Sequence, residues 1–265
     1  MKLAVIGAGK LGTILIRALI EAGVVKARDV AATVHLEASC ERVKRDVGVE
    51  VGRDNRTAVA GADVVLLCVK PQIISRITEE IAPALKPGQL VISVAAAATT
   101  GAIEALLPEE IPVVRAMPNT PARLGAGMTV LCAGSHATDE HLHTAARMFD
   151  AVGRTRVLEE RHMDAVTALS ASGAAFVYVV LEAMAEGGVK VGLPRDVATE
   201  LVAQTALGAS RMTLETGEHP ALLKDAVTTP AGCTIDGLLA LEAGGIRVAL
   251  IQAVVEATRR AAELA

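Results

Sequence analysis

The sequence predicts an α/β chain in two parts: an N-terminal doubly wound domain on a parallel sheet over residues 1–158, then an all-α domain over 159–265. Three observations carry this. Short apolar runs alternate with helical patterns as far as Leu158, and the first run leads straight into a glycine turn, G-A-G-K-L-G. From Glu159 onward no strand pattern recurs, and the helical runs are rich in alanine and apolar on more than one face.

Composition allows both parts to fold. Hydrophobic residues make up 52% of the 265 and charged residues 21%, enough for buried cores and unlike a disordered chain. Aromatic residues are nearly absent (Phe149, Phe176, Tyr178, no Trp), so the cores are built from Ala, Val, Leu and Ile. A net charge of -4 gives no electrostatic case for nucleic acid or an anionic membrane. The opening M-K-L-A-V-I-G is too short for a signal peptide, and no apolar run reads as long enough to span a membrane. Cys40, Cys68, Cys132 and Cys233 are scattered without C-x-x-C spacing, as in reduced thiols of a cytoplasmic protein.

Lys2 to Ile6 is an apolar run of the buried parallel type. The turn after it, Gly7-Ala8-Gly9-Lys10-Leu11-Gly12, opens a helix through Leu15, Ile16, Leu19 and Ile20. Strand, glycine turn and helix together point to a dinucleotide site of Rossmann type. Gly7 lets the chain turn, Gly9 lets a pyrophosphate approach the backbone, and Gly12 lets helix and strand lie close. The next strand, Val30 to Val34, runs into His35 with no acid at its end to bind ribose hydroxyls. Arg42, Lys44 and Arg45 follow. The pattern leans toward a 2′-phosphate and NADPH, while Glu37 keeps NADH open; these charges also fit the solvated face of a helix.

After a strand at Val49–Val51, Asn55 opens a helical turn and V-V-L-L-C-V forms another buried strand, ending in Val69-Lys70-Pro71-Gln72. Ligands collect at such carboxyl ends in an open α/β sheet. Leu90–Val94 is the next strand, running into Ala95–Ala98. Val113–Arg115 then leads to Met117-Pro118-Asn119-Thr120-Pro121, a stiff loop that offers the Asn119 amide to a nicotinamide carboxamide. Strands at Thr129–Cys132 and Thr155–Leu158 flank a helix from Asp139 to Asp150 and complete the domain. The helical runs that follow, among them Ala174–Val191 and Ile246–Leu264, carry hydrophobics all round, which suggests burial within the domain or across a homodimer interface.

Within the helical part, Lys224–Glu242 is organised around Thr228-Thr229-Pro230-Ala231-Gly232-Cys233-Thr234. The threonines and the proline push the backbone out of the α region, and a small-residue turn then starts a new helix. Unpaired N–H groups at such a start favour an anion, so the turn suits a small carboxylate with the Thr234 hydroxyl beside it. A plain helix–loop–helix with Thr234 as N-cap is the competing reading. His141-x-His143 is no metal pair, since i and i+2 do not share a helix face. Cys233 reads as a small packing thiol, having no assured cationic neighbour.

Along essentially its full length the chain resembles pyrroline-5-carboxylate reductase. The residues that carry the likeness are Gly7–Gly12, Asp54-Asn55, Cys68–Gln72, Met117–Pro121, Asp164–Thr167, Gly187–Lys190 with Gly192–Pro194, and, most specifically, Thr228–Ile235. Two positions depart from the family pattern: Ala231 replaces a glycine, and Ala174 a proline. The resemblance implies NAD(P)H-dependent reduction of 1-pyrroline-5-carboxylate, a cyclic imine with one carboxylate, to L-proline. Thr234 then orients and polarises the imine nitrogen, and Gly232, Cys233 and Thr234 hold the carboxylate beside Thr229. Glu160, matching an acidic position of the family, holds a water or balances an iminium; a surface carboxylate at a helix start is its other reading. The cofactor side comprises Gly7, Ala8, Gly9, Lys10, Leu11, Gly12, His35, Asn55, Val69, Lys70, Ala95, Ala96 and Asn119. The helical domain dimerises, each site lies between one subunit's nucleotide domain and its partner's helices, and dimers assemble further. A related imine or β-hydroxyacid reductase, or a silent NADP-binding sensor, is the alternative. Enzymes of the β-hydroxyacid kind place a lysine on the first long helix, and Thr167–Tyr178 has none.

Overall fold

A computed structural model describes residues 1–264. The N-terminal part alternates as expected: β1 (Leu3–Ile6), α1 (Lys10–Glu21), β2 (Val30–Thr33), α2 (Glu37–Val47), β3 (Glu50–Gly52), α3 (Asn55–Val59), β4 (Val64–Leu67), α4 (Ile74–Ile81), β5 (Leu90–Ser93), α5 (Thr100–Glu104), β6 (Val113–Met117), β7 (Gly127–Ala133), α6 (Asp139–Phe149) and β8 (Gly153–Val157). The strands form one sheet in the order β3-β2-β1-β4-β5-β6-β7-β8. Every neighbouring pair is parallel except β6 with β7. Only a short turn around Thr120–Leu124 joins those two, too short for the crossover a parallel pair needs, so the chain comes straight back antiparallel.

The central strands are buried on both faces. In β1, Leu3 and Val5 join a core with Leu15, Ile16 and Leu19 of α1, while Ala4 and Ile6 join another with Ile74, Ile77 and Ile81 of α4. Period-two alternation thus feeds two cores from one strand, the packing signature of a doubly wound sheet. Each fully buried Leu or Ile contributes about 1.5–3 kcal/mol to these cores.

The helical part comprises α7 (Met163–Val166), α8 (Gly173–Lys190), α9 (Arg195–Thr216), α10 (Pro220–Ala226), α11 (Cys233–Ala243) and α12 (Ile246–Ala262). A π-helical stretch over Thr167–Ser172 joins α7 to α8, so Glu160–Lys190 runs as one helix of 31 residues. Its most apolar window has a mean hydropathy of 1.6, long and apolar enough to cross a membrane by length and composition. The sequence reading, which saw no run of that length, is corrected here: Ser170, Ser172 and Gly173 interrupt the apolar pattern but not the helix.

By contacts the chain forms two compact units. The first is Met1–Ala171 with the stretch from Ala257 onward, and the second is Ser172–Glu256. The sequence places the boundary at 158/159 instead. The contact boundary falls later because Met163 packs in a small cluster with Met117, Val130 and Cys132, and Ala168 is also buried. Within the second unit α8 and α9 pack closely; an added Cβ on Gly188 would sit 3.0 Å from that of Ala198.

Candidate active site

The turn after β1 is built around three glycines with different duties. Gly7 has φ +92°, and a Cβ there would lie 2.8 Å from Val69 Cγ1 and 2.9 Å from the Cys68 carbonyl oxygen. A Cβ on Gly12 would lie 2.8 Å from the Gly7 carbonyl oxygen, so only glycine lets α1 come this close to the turn. Gly9, the N-cap of α1, would meet nothing within 4 Å. The space a side chain would fill there lies open at the start of α1, where the first N–H groups have no intrahelical partner. Ala8 is buried, Lys10 is exposed, and the Ala8 N–H donates to the Thr33 carbonyl at 2.7 Å, tying the turn to the end of β2. This geometry fits a pyrophosphate on a helix N-terminus.

Beside the turn, at the carboxyl ends of β1, β2 and β4, lies a cavity of about 180 Å³. Gly7, His35, Asn55 and Val69, all expected at a cofactor, line it. Arg53 and Arg76 line it too, and these the sequence reading missed. The cations it offered instead lie elsewhere. Arg42 pairs with Asp46 at 3.6 Å and lines a different cleft beside Lys10 and Arg17, and neither Lys44 nor Arg45 lines the cavity at His35. Lys70 is exposed before Pro71, while Ala95 is buried and Ala96 lines a separate, largely apolar cleft with Pro71 and Ile103. In that segment Ala97 has φ +62°.

Two expected side chains turn out to be occupied. The Asn119 amide donates to Ser170 Oγ at 3.2 Å and accepts from the Met128 N–H at 2.9 Å. These bonds lock the loop to the start of β7. Glu160 accepts from the Thr100 N–H (2.8 Å), from Thr100 Oγ1 (2.7 Å) and from Arg115 Nη1 (3.2 Å). Its side chain is 28% exposed and that of Arg115 only 2%, so the surface-carboxylate reading is corrected: Glu160 neutralises a buried guanidinium. Arg115 Nε and Nη2 have no partner among the described residues. Burial pushes the thiols nearby up, to about 12 for Cys68 and about 11 for Cys132, where the Glu160 charge adds to the effect.

The turn of the second unit has its own geometry. Gly232 is the N-cap of α11, and Thr234 is the second residue of that helix. The reading of Thr234 as a cap is thereby replaced, and its hydroxyl has no hydrogen-bond partner among the described residues. The Gly232 N–H donates to the Thr229 carbonyl at 3.1 Å, so it is not free for a carboxylate as expected; the first free N–H groups belong to Cys233 and Thr234. A Cβ on Gly232 would strike Thr229 Oγ1, which explains that glycine. Ala231 has φ +58°, a left-handed conformation that costs a residue with a Cβ about 1–2 kcal/mol. The backbone at Ala231, where the family pattern has glycine, therefore carries its Cβ only with strain. His141, set aside as a metal ligand, caps α6: its Nδ1 accepts from the Thr138 N–H at 3.0 Å.

Residues 160–264 match the family described as pyrroline-5-carboxylate reductase dimerisation, and residues 2–97 match NADP oxidoreductase, coenzyme F420-dependent. The pyrroline-5-carboxylate reductase of Methanosarcina acetivorans is 42% identical over 99% of this chain and 97% of its own. That of Glycine max is 40% identical over 99% and 95%. Among solved structures, a pyrroline-5-carboxylate reductase from Coxiella burnetii superposes with a TM-score of 0.94 at 35% identity, covering 100% of this chain and 98% of the other. One from Plasmodium falciparum with NADP bound gives 0.88 at 26%, with the same coverage.

Proposed function

The chain belongs to the pyrroline-5-carboxylate reductase family, and from that membership we infer that it reduces 1-pyrroline-5-carboxylate to L-proline with NAD(P)H, the last step of proline biosynthesis. When bound, the dihydronicotinamide supplies the hydride that goes to the imine carbon, while the ring nitrogen takes a proton from water and becomes the amine.

The observation that carries the substrate side is the free hydroxyl of Thr234 in the first turn of α11, beside N–H groups that the helix leaves unpaired. Those of Cys233 and Thr234 hold the substrate carboxylate, with Thr229 and the bend at Gly232 shaping the pocket. The Thr234 hydroxyl donates to the imine nitrogen and orients it; a threonine is too weak an acid to be the net proton source. On the cofactor side, Gly7 to Gly12 receive the pyrophosphate, and His35, Asn55 and Val69 border the adenosine ribose. Lys70, Ala95 and Ala96 flank the path toward the nicotinamide. Asn119 and Glu160 act as positioning residues, the first fixing the loop after β6, the second holding the start of α5 against Arg115. In functional terms the dinucleotide part ends at residue 158 and the dimerisation and substrate part begins at 159, one residue from where the dimerisation family begins.

The apolar faces of α8, α9 and α12 support a homodimer, which gives the long Glu160–Lys190 helix a protein rather than a lipid neighbour. All four cysteines are free, in keeping with a reducing cytoplasm. The test follows NADPH oxidation at 340 nm with pyrroline-5-carboxylate and with its six-membered homologue. A kcat/KM at least tenfold higher for the five-membered imine is expected; activity confined to the larger ring would overturn the substrate assignment.

A further inference from the structure

The cavity beside His35 holds an arrangement that the family assignment does not explain. Arg53, just past β3, donates to Glu37 at 3.2 Å, both side chains being more than half exposed. Arg76, in the first turn of α4, has no hydrogen bond or ion pair among the described residues, although it lines the same cavity. The acid facing it, Glu80, is engaged: its Oε1 accepts from Asn55 Nδ2 at 3.0 Å and its carbonyl from Arg56 Nε at 2.8 Å. One loosely held guanidinium and one unpaired one thus border the end of β2, where the 2′ position of an adenosine ribose falls in this fold.

We propose that an exchange of partners at Arg53 sets the nucleotide preference of this chain: Glu37 holds Arg53 in the free protein, and the 2′-phosphate of NADPH takes Arg53 from it and recruits Arg76. The inference rests on the dinucleotide reading of the glycine turn and adds to it which residues discriminate, and in which direction. Exposed ion pairs are weak, so displacing Glu37 into water costs little. A dianionic phosphate receives forked, charge-assisted hydrogen bonds from two guanidiniums, a better partner than one mobile carboxylate. NADH brings no such group. Glu37 then keeps Arg53, or accepts from a ribose hydroxyl, and Arg76 gains nothing. NADPH is therefore preferred, and NADH is admitted as the weaker cofactor.

Calorimetric titration of the full-length protein tests this without turnover, using NADPH, NADH, 2′,5′-ADP and 5′-AMP. In the double variant Arg53→Ala/Arg76→Ala, NADPH and 2′,5′-ADP should weaken by about 10- to 100-fold, the loss expected for two charge-assisted contacts. NADH and 5′-AMP should stay within about threefold. Glu37→Gln should tighten NADPH a few-fold by releasing Arg53. Arg53→Lys/Arg76→Lys, which keeps the charges, should recover part of the loss. Equal weakening of both nucleotides, or none of either, overturns the exchange. Wild-type protein that binds neither NADPH nor NADH would overturn the glycine-turn reading as well, a result distinct from a loss confined to the 2′-phosphate.

Discussion

Two turns in this molecule do comparable work by different means. The turn after β1 and the turn before α11 each end a preceding element, start a helix on small residues, and leave that helix's first N–H groups for an anion. In the first, glycine is a steric necessity at Gly7 and Gly12, and the thiol beneath, Cys68, is half-buried, its pKa pushed up by desolvation. In the second, the left-handed position is held by Ala231 with its Cβ in place, and the adjacent thiol, Cys233, is exposed. The first turn meets its backbone neighbours tightly at Gly7 and Gly12 and leaves open space at Gly9, while the second carries the strain of a left-handed alanine.

The sharpest way to break the comparison is to fill the open space at Gly9. Gly9→Val should fold, since a Cβ there meets nothing within 4 Å, yet lose NADPH binding by more than about 100-fold because the side chain occupies the pyrophosphate's place. Retained binding in a fluorescence titration would remove the first turn from the site. Next come the thiols. With the Cys68 pKa pushed up to about 12, its thiolate fraction at pH 8 is on the order of 10⁻⁴. Only one thiol of the four, Cys233, is exposed, so the native protein should titrate with about one equivalent of Ellman's reagent, and with four after denaturation. Because burial raises the Cys68 pKa, it stays protonated across any working pH, and fast labelling there would show that the first turn opens.

Thr234→Ala should lower kcat by roughly one to three orders of magnitude, the usual loss for one positioned donor, with NADPH affinity unchanged. An unaltered rate would leave the second turn without a chemical role. The smallest effect is expected at Ala231. Replacing it by glycine relieves about 1–2 kcal/mol of left-handed strain and loosens the unfolded chain by about 0.4–1 kcal/mol. The net is a stabilisation of about 0.5–1 kcal/mol, readable as a rise of about 1–3 °C in Tm. A fall in Tm would show that the Cβ is packed rather than strained.

Much of this was legible in the sequence. The central strands are visible because a parallel strand buried on both faces must be an unbroken run such as Val64–Leu67, and the glycine turn because its spacing is dictated by sterics. The antiparallel return of β7 was not, since a strand's direction is set by what connects it and not by its own residues. Nor were Arg53 and Arg76. They meet at His35 only because β3 lies beside β2 and α4 starts at the end of β4, a tertiary fact without local pattern. Glu160 reads in one dimension either as a substrate-site acid or as a surface carboxylate; its partner Arg115 lies 45 residues away, on β6. The Thr228–Ile235 motif points to the proposed substrate turn, but not to the Gly232 N–H already donating to the Thr229 carbonyl.

The second unit places only two residues, Ala185 and Ala198, out of reach of water within one chain, while Tyr178, Val179, Leu239 and Ile251 stay largely bare. A part so short of interior of its own borrows it from another copy, and borrowing follows mass action. Stability is then a property of how much protein is in the tube as well as of its sequence. Progressive dilution should silence the enzyme while the sheet domain, with two full cores of its own, remains intact.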